Sequence, residues 1–211
     1  IHSITVFSIK KTFLPSFLRI KPRDFKAEVL PQDGGVETFD QEDAKAINRA
    51  RLEHLESLDL PVNDKRVLDV GCGVGHFSQF YRARGCSVVG IDARKENIDR
   101  MQQLYPDVEG HVIDVQVDSL DALGGFDIVH CYGLLYHLEN PIGALRTMYS
   151  VCKELLIIET MVCDSSKPVV VLTDETKSFS QALHGIGCRP SPGFIVMVLN
   201  RIGFRHVYDV M

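Results

Sequence analysis

Val67-Leu68-Asp69-Val70-Gly71-Cys72-Gly73-Val74-Gly75 is the stretch that decides the fold. An apolar strand, Arg66 to Val70, runs into three alternate glycines and then into a helical segment, Gly75 to Arg84. The backbone must turn sharply there and let a ligand press against it, and a Cβ would obstruct both. The dinucleotide-binding spacing G-x-G-x-x-G would need glycine at position 76, where this chain has His76. A nucleotide-type ligand other than a dinucleotide is the expectation.

Outward from the turn, strands and helices alternate. Ser87 to Ile91 reads as a second strand and Ala93 to Leu104 as a helix. Gly110 to Val115 holds a third strand and Phe126 to Cys131 a fourth. A helix over Pro141 to Cys152 and a fifth strand over Leu155 to Glu159 follow. Such a rhythm demands a parallel sheet, because parallel neighbours need long crossovers whose helices then cover both faces. Met161 to Pro190 breaks it with a polar stretch, expected to lie over the active site. A helix from Ser191 to Ile202 and a strand from Arg205 to Val210 resume it. Upstream, Gln41 to Leu58 reads as a helix with Ala46, Ala50, Leu52, Leu55 and Leu58 on its apolar side. In the opening arm, Ile9, Phe13, Leu14, Phe17 and Leu18 fall near helical spacing. Residues 1–62 are thus expected to form an arm and helix that cover the site, and residues 63–211 the binding domain with its excursion at 161–190.

Two acids follow the turn at strand ends. Asp92 closes the second strand, placed to accept both hydroxyls of a ribose, with Ala93 next to it. Asp114 closes the third, suited to an adenine amino group, with the Val115 backbone beside it. A carboxylate at Asp69 would attract a ligand carrying a sulfonium and an amino group, and would repel pyrophosphate.

With these residues in hand, Lys65 to Glu159 resembles the class I S-adenosylmethionine (SAM) dependent methyltransferases. The motifs that carry the likeness are Asp69, Gly71, Gly73 and Gly75; Asp92; Asp114; and Phe126-Asp127-Ile128-Val129 running into Leu134-Leu135-Tyr136-His137-Leu138. The resemblance implies a Rossmann-like three-layer α/β/α sandwich with a mostly parallel sheet in the order 3-2-1-4-5-7-6. This chain ends at Met211 inside the sixth of those strands, so the seventh is expected to be missing. It also implies SAM as cofactor, held by Asp69, Gly71, Cys72, Gly73, Gly75, Asp92, Ala93, Asp114, Val115, Cys131 and Tyr132. A weaker likeness covers Tyr136-His137-Leu138-Glu139-Asn140-Pro141, Glu159-Thr160, Arg189-Pro190-Ser191 and Gly203-Phe204. That layout is similar to the tRNA wobble-uridine carboxymethyltransferases and to small-molecule enzymes built like them.

Methyl transfer from a sulfonium needs positioning above all, and a base where the acceptor must lose a proton. His137 and Glu159 are the candidates for such a role. His184 and Arg189, in the excursion, are candidates for holding an anionic group. No metal site, Ser/His/Asp spacing, H-E-x-x-H or P-loop is present. Six of 23 Lys and Arg but one of 28 acids fall in the first 26 residues, which leaves the remainder strongly acidic. Nucleic-acid binding leans on clustered cations, so a small-molecule acceptor is expected ahead of tRNA. The rivals are a tRNA-modifying methyl or carboxymethyl transferase and a non-catalytic SAM-binding scaffold. No apolar run approaches the ~20 residues that span a bilayer. Six scattered cysteines without paired spacing fit a reducing compartment, so a cytoplasmic location is expected. The sequence leaves the oligomeric state open, and since it opens at Ile1 a targeting segment stays open too.

Overall fold

The computed structural model describes residues 5–11, 35–175 and 180–210. Its strands are β1 (Thr5–Lys11), β2 (Arg66–Val70), β3 (Ser87–Asp92), β4 (Glu109–Val112), β5 (Phe126–Tyr132), β6 (Cys152–Val162), β7 (Val170–Asp174), β8 (Ile186–Pro190) and β9 (Val207–Val210). The α-helices are α1 (Glu42–Ser57), α2 (His76–Arg82), α3 (Lys95–Leu104), α4 (Pro141–Val151) and α5 (Pro192–Ile202). Seven strands form one sheet in the order β4-β3-β2-β5-β6-β1-β9, and every pairing in it is parallel. Its first five strands reproduce the expected 3-2-1-4-5 order.

Two features differ from expectation at the far edge. Thr5–Lys11 is a strand, not part of a helical arm, and pairs in parallel with both β6 and β9. It takes the position between the fifth and sixth strands that was expected to be vacant. The apolar positions Phe13 to Leu18 lie outside the described residues. The excursion is also more ordered than its polarity suggested: β6 continues to Val162, and β7 and β8 pair antiparallel as a separate two-stranded sheet.

Alternation along the central strands builds two cores, one on each face. Leu155 and Ile157 pack with Val67, Phe77, Tyr81, Ile98 and Met101 on the face covered by α1, α2 and α3. Leu156 and Ile158 pack with Leu68, Val70, Leu145, Met148, Ile195 and Leu199 on the face covered by α4 and α5. The helices on that second face have explicit starts. Asn140 accepts from Gly143 N at 3.0 Å before Pro141, and Ser191 Oγ accepts from Phe194 N at 3.2 Å before Pro192. Each cap satisfies an orphan donor, and each proline sits where its missing N–H costs nothing. The packing leaves the carboxyl ends of β2, β3 and β5 open toward the turns that follow them. That is the edge at which open parallel sheets hold ligands.

Candidate functional site

The glycine turn is tied down from its neighbour strand. Gly71 N and Cys72 N both donate to Ile91 O, at 2.8 and 3.0 Å, and Gly73 N donates to Asp92 Oδ2 at 3.1 Å. Gly71 and Gly73 have φ of +71° and +53°, a region that side-chain-bearing residues rarely enter. A Cβ on Gly71 would stand 2.9 Å from Leu134 Cδ2, and one on Gly73 would stand 3.1 Å from the Phe39 ring. Gly71→Ala is therefore expected to lose about 1–3 kcal/mol of stability in urea titrations, the usual cost of such backbone strain.

Two cavities flank this turn, and Phe39 lines both. The smaller, of about 110 Å³, is bounded by Gly71, Gly73, Asp92, Ala93, Asp114 and Val115. The excursion closes over it through Ser180, Gln181 and Leu183, with Arg94 Nη2 donating to Gln181 O at 3.3 Å. The larger, of about 370 Å³, lies between α1 and the ends of β5 and β6. Asn48 and Arg51 reach it from α1; Cys72, Tyr132, His137 and Arg189 face it from the other side.

The acids behave differently from one another. Asp92 lines the smaller cavity and accepts from Gly73 N, Arg94 N at 2.9 Å and Asn97 Nδ2 at 3.1 Å. Burial raises its carboxyl above the usual range, although these donors pull the other way. A carboxylate offers about four acceptor positions, so three internal donors leave about one for a ligand rather than the two expected. Asp114 also lines the cavity, but its Oδ2 meets His184 Nε2 at 3.0 Å and its Oδ1 accepts from Gln116 N at 3.0 Å. The excursion histidine read as an anion-binding candidate thus sits on the aspartate read as an adenine partner.

Several expected ligand contacts are corrected. Asp69 lines neither cavity: it is buried, accepts from Ser78 Oγ at 2.7 Å and meets His130 Nδ1 at 3.2 Å. It secures α2 and β5 beneath the turn instead of facing a cation. Gly75, at φ +88°, borders Met101 and Tyr105, so its missing side chain serves packing. Cys131 is fully buried and lines neither cavity, and burial pushes its thiol far up. Glu159 is buried behind the larger cavity, with Arg51 Nη2 at 2.7 Å from Oε2, and does not line the wall. Cys72 and Tyr132 do line the larger cavity, and burial raises both their thiol and hydroxyl.

His137 lines both cavities. Its Nδ1 lies 2.5 Å from Glu175 Oε2, and Glu175 Oε1 accepts from Arg189 Nη1 at 3.1 Å. Burial works to raise the Glu175 carboxyl, but the hydrogen bond and charge of His137 and the hydrogen bonds from Arg189 and Ala182 N outweigh it and hold it below the usual 4.5. A depressed folded value means that this group's contribution to stability is complete above about pH 4.5 and is lost as pH falls through the folded value. Protection of the β7 and β8 amides against exchange, taken relative to the intrinsic rate at each pH, is therefore expected to fall on acidification below that pH before protection in β2 and β5 does.

Arg51, Phe39 and Glu175 were missed in the sequence. Of these only Glu175 had a signal nearby, the β-branched run Val169-Val170-Val171-Leu172-Thr173 that marks the strand before it.

A family model described as a methyltransferase domain matches residues 40–208, and the chain belongs to that family. Its fold is that of the class I SAM-dependent methyltransferases. The N-terminal domain of EvdMO1, crystallised with S-adenosylhomocysteine and D-fucose, superposes with a TM-score of 0.56 at 22% identity, over 78% of this chain and 74% of that one. A tRNA U34 carboxymethyltransferase of Pseudoalteromonas translucida (strain TAC 125) is 28% identical over 162 residues, 74% of this chain and 48% of that protein. A ubiquinone biosynthesis O-methyltransferase of Bordetella avium (strain 197N) is 35% identical over 112 residues, 51% of this chain and 46% of that protein. The chain thus spans about half the length of these curated relatives. Among the described residues no helix is long and apolar enough to cross a membrane, and no cluster of potential metal ligands occurs.

Proposed function

We propose that this chain binds S-adenosylmethionine across the two cavities and transfers its methyl group to an oxygen or nitrogen nucleophile of a small molecule. The observation that carries the reading is the glycine turn itself, since Gly71 and Gly73 line both cavities at the carboxyl edge of the sheet with Asp92 tied to Gly73 N. Asp92, Ala93, Asp114 and Val115 would hold the nucleoside side. Gly73, Cys72 and Tyr132 would border the amino-acid side. When bound, the cofactor supplies a methyl group on a cationic sulfur that leaves as a neutral thioether. The chain's own work is then to orient the acceptor, exclude water and take up a proton where the acceptor must lose one.

The larger cavity supports a hydroxyl over a protonated amine. No carboxylate lines it among the described residues, whereas Arg51 and Arg189 do. The cofactor's own amino group brings its own carboxylate as partner, whereas a protonated amine on the acceptor would lose its hydration with no carboxylate of the wall to pair with. Both guanidinium groups are matched by buried carboxylates, Glu159 and Glu175, so the wall also lacks the free positive charge that would select a polyanion. Of residues 1–62, expected as a cover, β1 belongs to the sheet instead, and in this reading the cover of the larger cavity is Thr38, Phe39 and α1. The six buried cysteines, none in a disulfide, fit a cytoplasmic protein.

A second reading, RNA modification, is favoured by the likeness to the tRNA U34 carboxymethyltransferase. One experiment separates the two. Calorimetric titration with SAM and S-adenosylhomocysteine tests the pocket, and deuteromethyl-labelled SAM is then supplied with a metabolite extract or with bulk tRNA. Label in an O-methylated small molecule is the expected outcome. Label in tRNA would establish the second reading, and failure of both cofactor forms to bind the folded chain would dismiss both.

A further inference from the structure

The excursion delivers one buried carboxylate to the site, and it is aimed at a single histidine. Glu175 follows β7 directly, and only 5% of its side chain is exposed. Both of its oxygens are engaged: Oε2 meets His137 Nδ1 and accepts from Ala182 N at 3.2 Å, while Oε1 accepts from Arg189 Nη1. Arg189 is itself fixed, since Nη1 also donates to Tyr136 O at 3.1 Å and Cys188 O at 2.8 Å. The His137 ring lies against Tyr136, with centroids 4.0 Å apart. The imidazole is thus held by an ion-paired carboxylate on one edge and an aromatic ring on one face.

An ionised carboxylate can only accept, so the hydrogen between it and His137 belongs to Nδ1. In the neutral ring Nε2 then carries the lone pair. Nothing among the described residues hydrogen-bonds Nε2, and His137 borders both cavities beside the glycine turn. A histidine serving only to pin the excursion would have no need of that opening.

We propose that Glu175 is the positioning residue of the methyl-transfer site, fixing His137 in the tautomer whose Nε2 accepts the proton of the acceptor hydroxyl. This inference rests on the reading of the chain as a methyltransferase for a small hydroxyl compound. As the acceptor oxygen bonds the methyl carbon, the carbon–sulfur bond breaks and its electron pair stays on sulfur. The O–H proton passes to the Nε2 lone pair, and the oxygen keeps the electrons of the O–H bond. The cationic charge that began on sulfur ends on the imidazolium, where the Glu175 carboxylate faces it. Positioned proton transfer of this kind is worth about 10²–10⁴-fold in rate. The arrangement also makes the excursion part of the machinery, since a chain with β7 and β8 displaced would lose the partner of His137.

The test reads the tautomer directly. Long-range ¹⁵N–¹H correlation spectra of the full chain labelled at histidine are recorded with and without S-adenosylhomocysteine, and His137→Gln identifies the His137 signals. The wild-type ring is expected as the Nδ1–H tautomer. Glu175→Gln is expected to keep that tautomer, because the amide oxygen still accepts, and Glu175→Ala to release the ring toward the Nε2–H form that dominates in free histidine. With the O-methylated product as readout, Glu175→Ala is expected to lower kcat about 100-fold with the KM for SAM unchanged, and Glu175→Gln to recover part of the loss. A wild-type ring in the Nε2–H form, or a tautomer indifferent to Glu175→Ala, would overturn the proposal even if that variant folds poorly, since the first measurement needs no variant. Correct tautomers in a chain that binds neither SAM nor S-adenosylhomocysteine would instead dismiss the methyltransferase reading and leave the positioning intact.

Discussion

Asp92→Ala is expected to weaken SAM binding by about 100-fold or more, a loss of about 2.8 kcal/mol at 1.4 kcal/mol per tenfold. The carboxylate holds three parts of the smaller cavity at once. It fixes the glycine turn through Gly73 N, the entry to α3 through Arg94 N, and α3 itself through Asn97 Nδ2. Removing it leaves those donors without their acceptor, and hydrogen bonds to a charged group contribute about 1.5–3 kcal/mol each. Part of that loss falls on folding, so the melting temperature is expected to drop by several degrees as well, at about 2–4 °C per kcal/mol for a chain of this size. Asp92→Asn separates the two effects. Its amide presents one acceptor where two existed and turns an N–H group toward a backbone donor, so binding is expected to fall about tenfold with a smaller change in stability. Calorimetric titration on the folded variants checks both. Unchanged affinity in Asp92→Ala would mean that the smaller cavity is not where the nucleoside sits.

How far the sequence could be read depended on whether a signal was local. The β-α-β alternation from Lys65 onward depends on periodicities a few residues long, and the first five strands of the sheet appear in the order it implied. The glycine turn was legible for the same reason, because its steric demand is met within five residues. Side-chain direction at strand ends was not. Val67, Asp69, His130 and Tyr132 point to one face while Leu68, Val70 and Cys131 point to the other, and period-two alternation says which residues share a face but not which face opens on a cavity. Asp69 consequently looked like a ligand contact, although it lies opposite His130 across the β2–β5 pair and is consumed there. Glu175 escaped for a different reason. Its partner His137 lies 38 residues earlier, and only the antiparallel pairing of β7 with β8 brings the two together.

Arg51 and Glu159 show the same limit and carry the second large prediction. Arg51 is on α1 and Glu159 in β6, more than a hundred residues apart, yet they meet at 2.7 Å with 13% and 3% of their side chains exposed. Glu159 stands opposite Tyr132 in the β5–β6 pair, and a Cβ on Gly133 would meet the Arg51 guanidinium at 2.9 Å. The bridge therefore joins α1 to the carboxyl edge of the sheet, across the back of the larger cavity. Arg51→Ala would leave a carboxylate buried with no cation, a change that costs about 3–5 kcal/mol for pairs of this kind. Glu159→Ala would strand the guanidinium at similar cost. The double variant Arg51→Met, Glu159→Leu removes both charges and fills much of the volume, and is expected to lie within about 1 kcal/mol of wild type, because desolvating the ion pair offsets most of its attraction. If either single variant costs no more than the double, the two groups do not depend on each other and α1 is held by its apolar contacts alone. If they are coupled as the geometry indicates, the double variant supplies a further discriminator. It is expected to keep the nucleoside contacts of SAM while losing acceptor methylation, because Arg51 lines the larger cavity, which the acceptor shares with the amino-acid end of the cofactor, and not the smaller one.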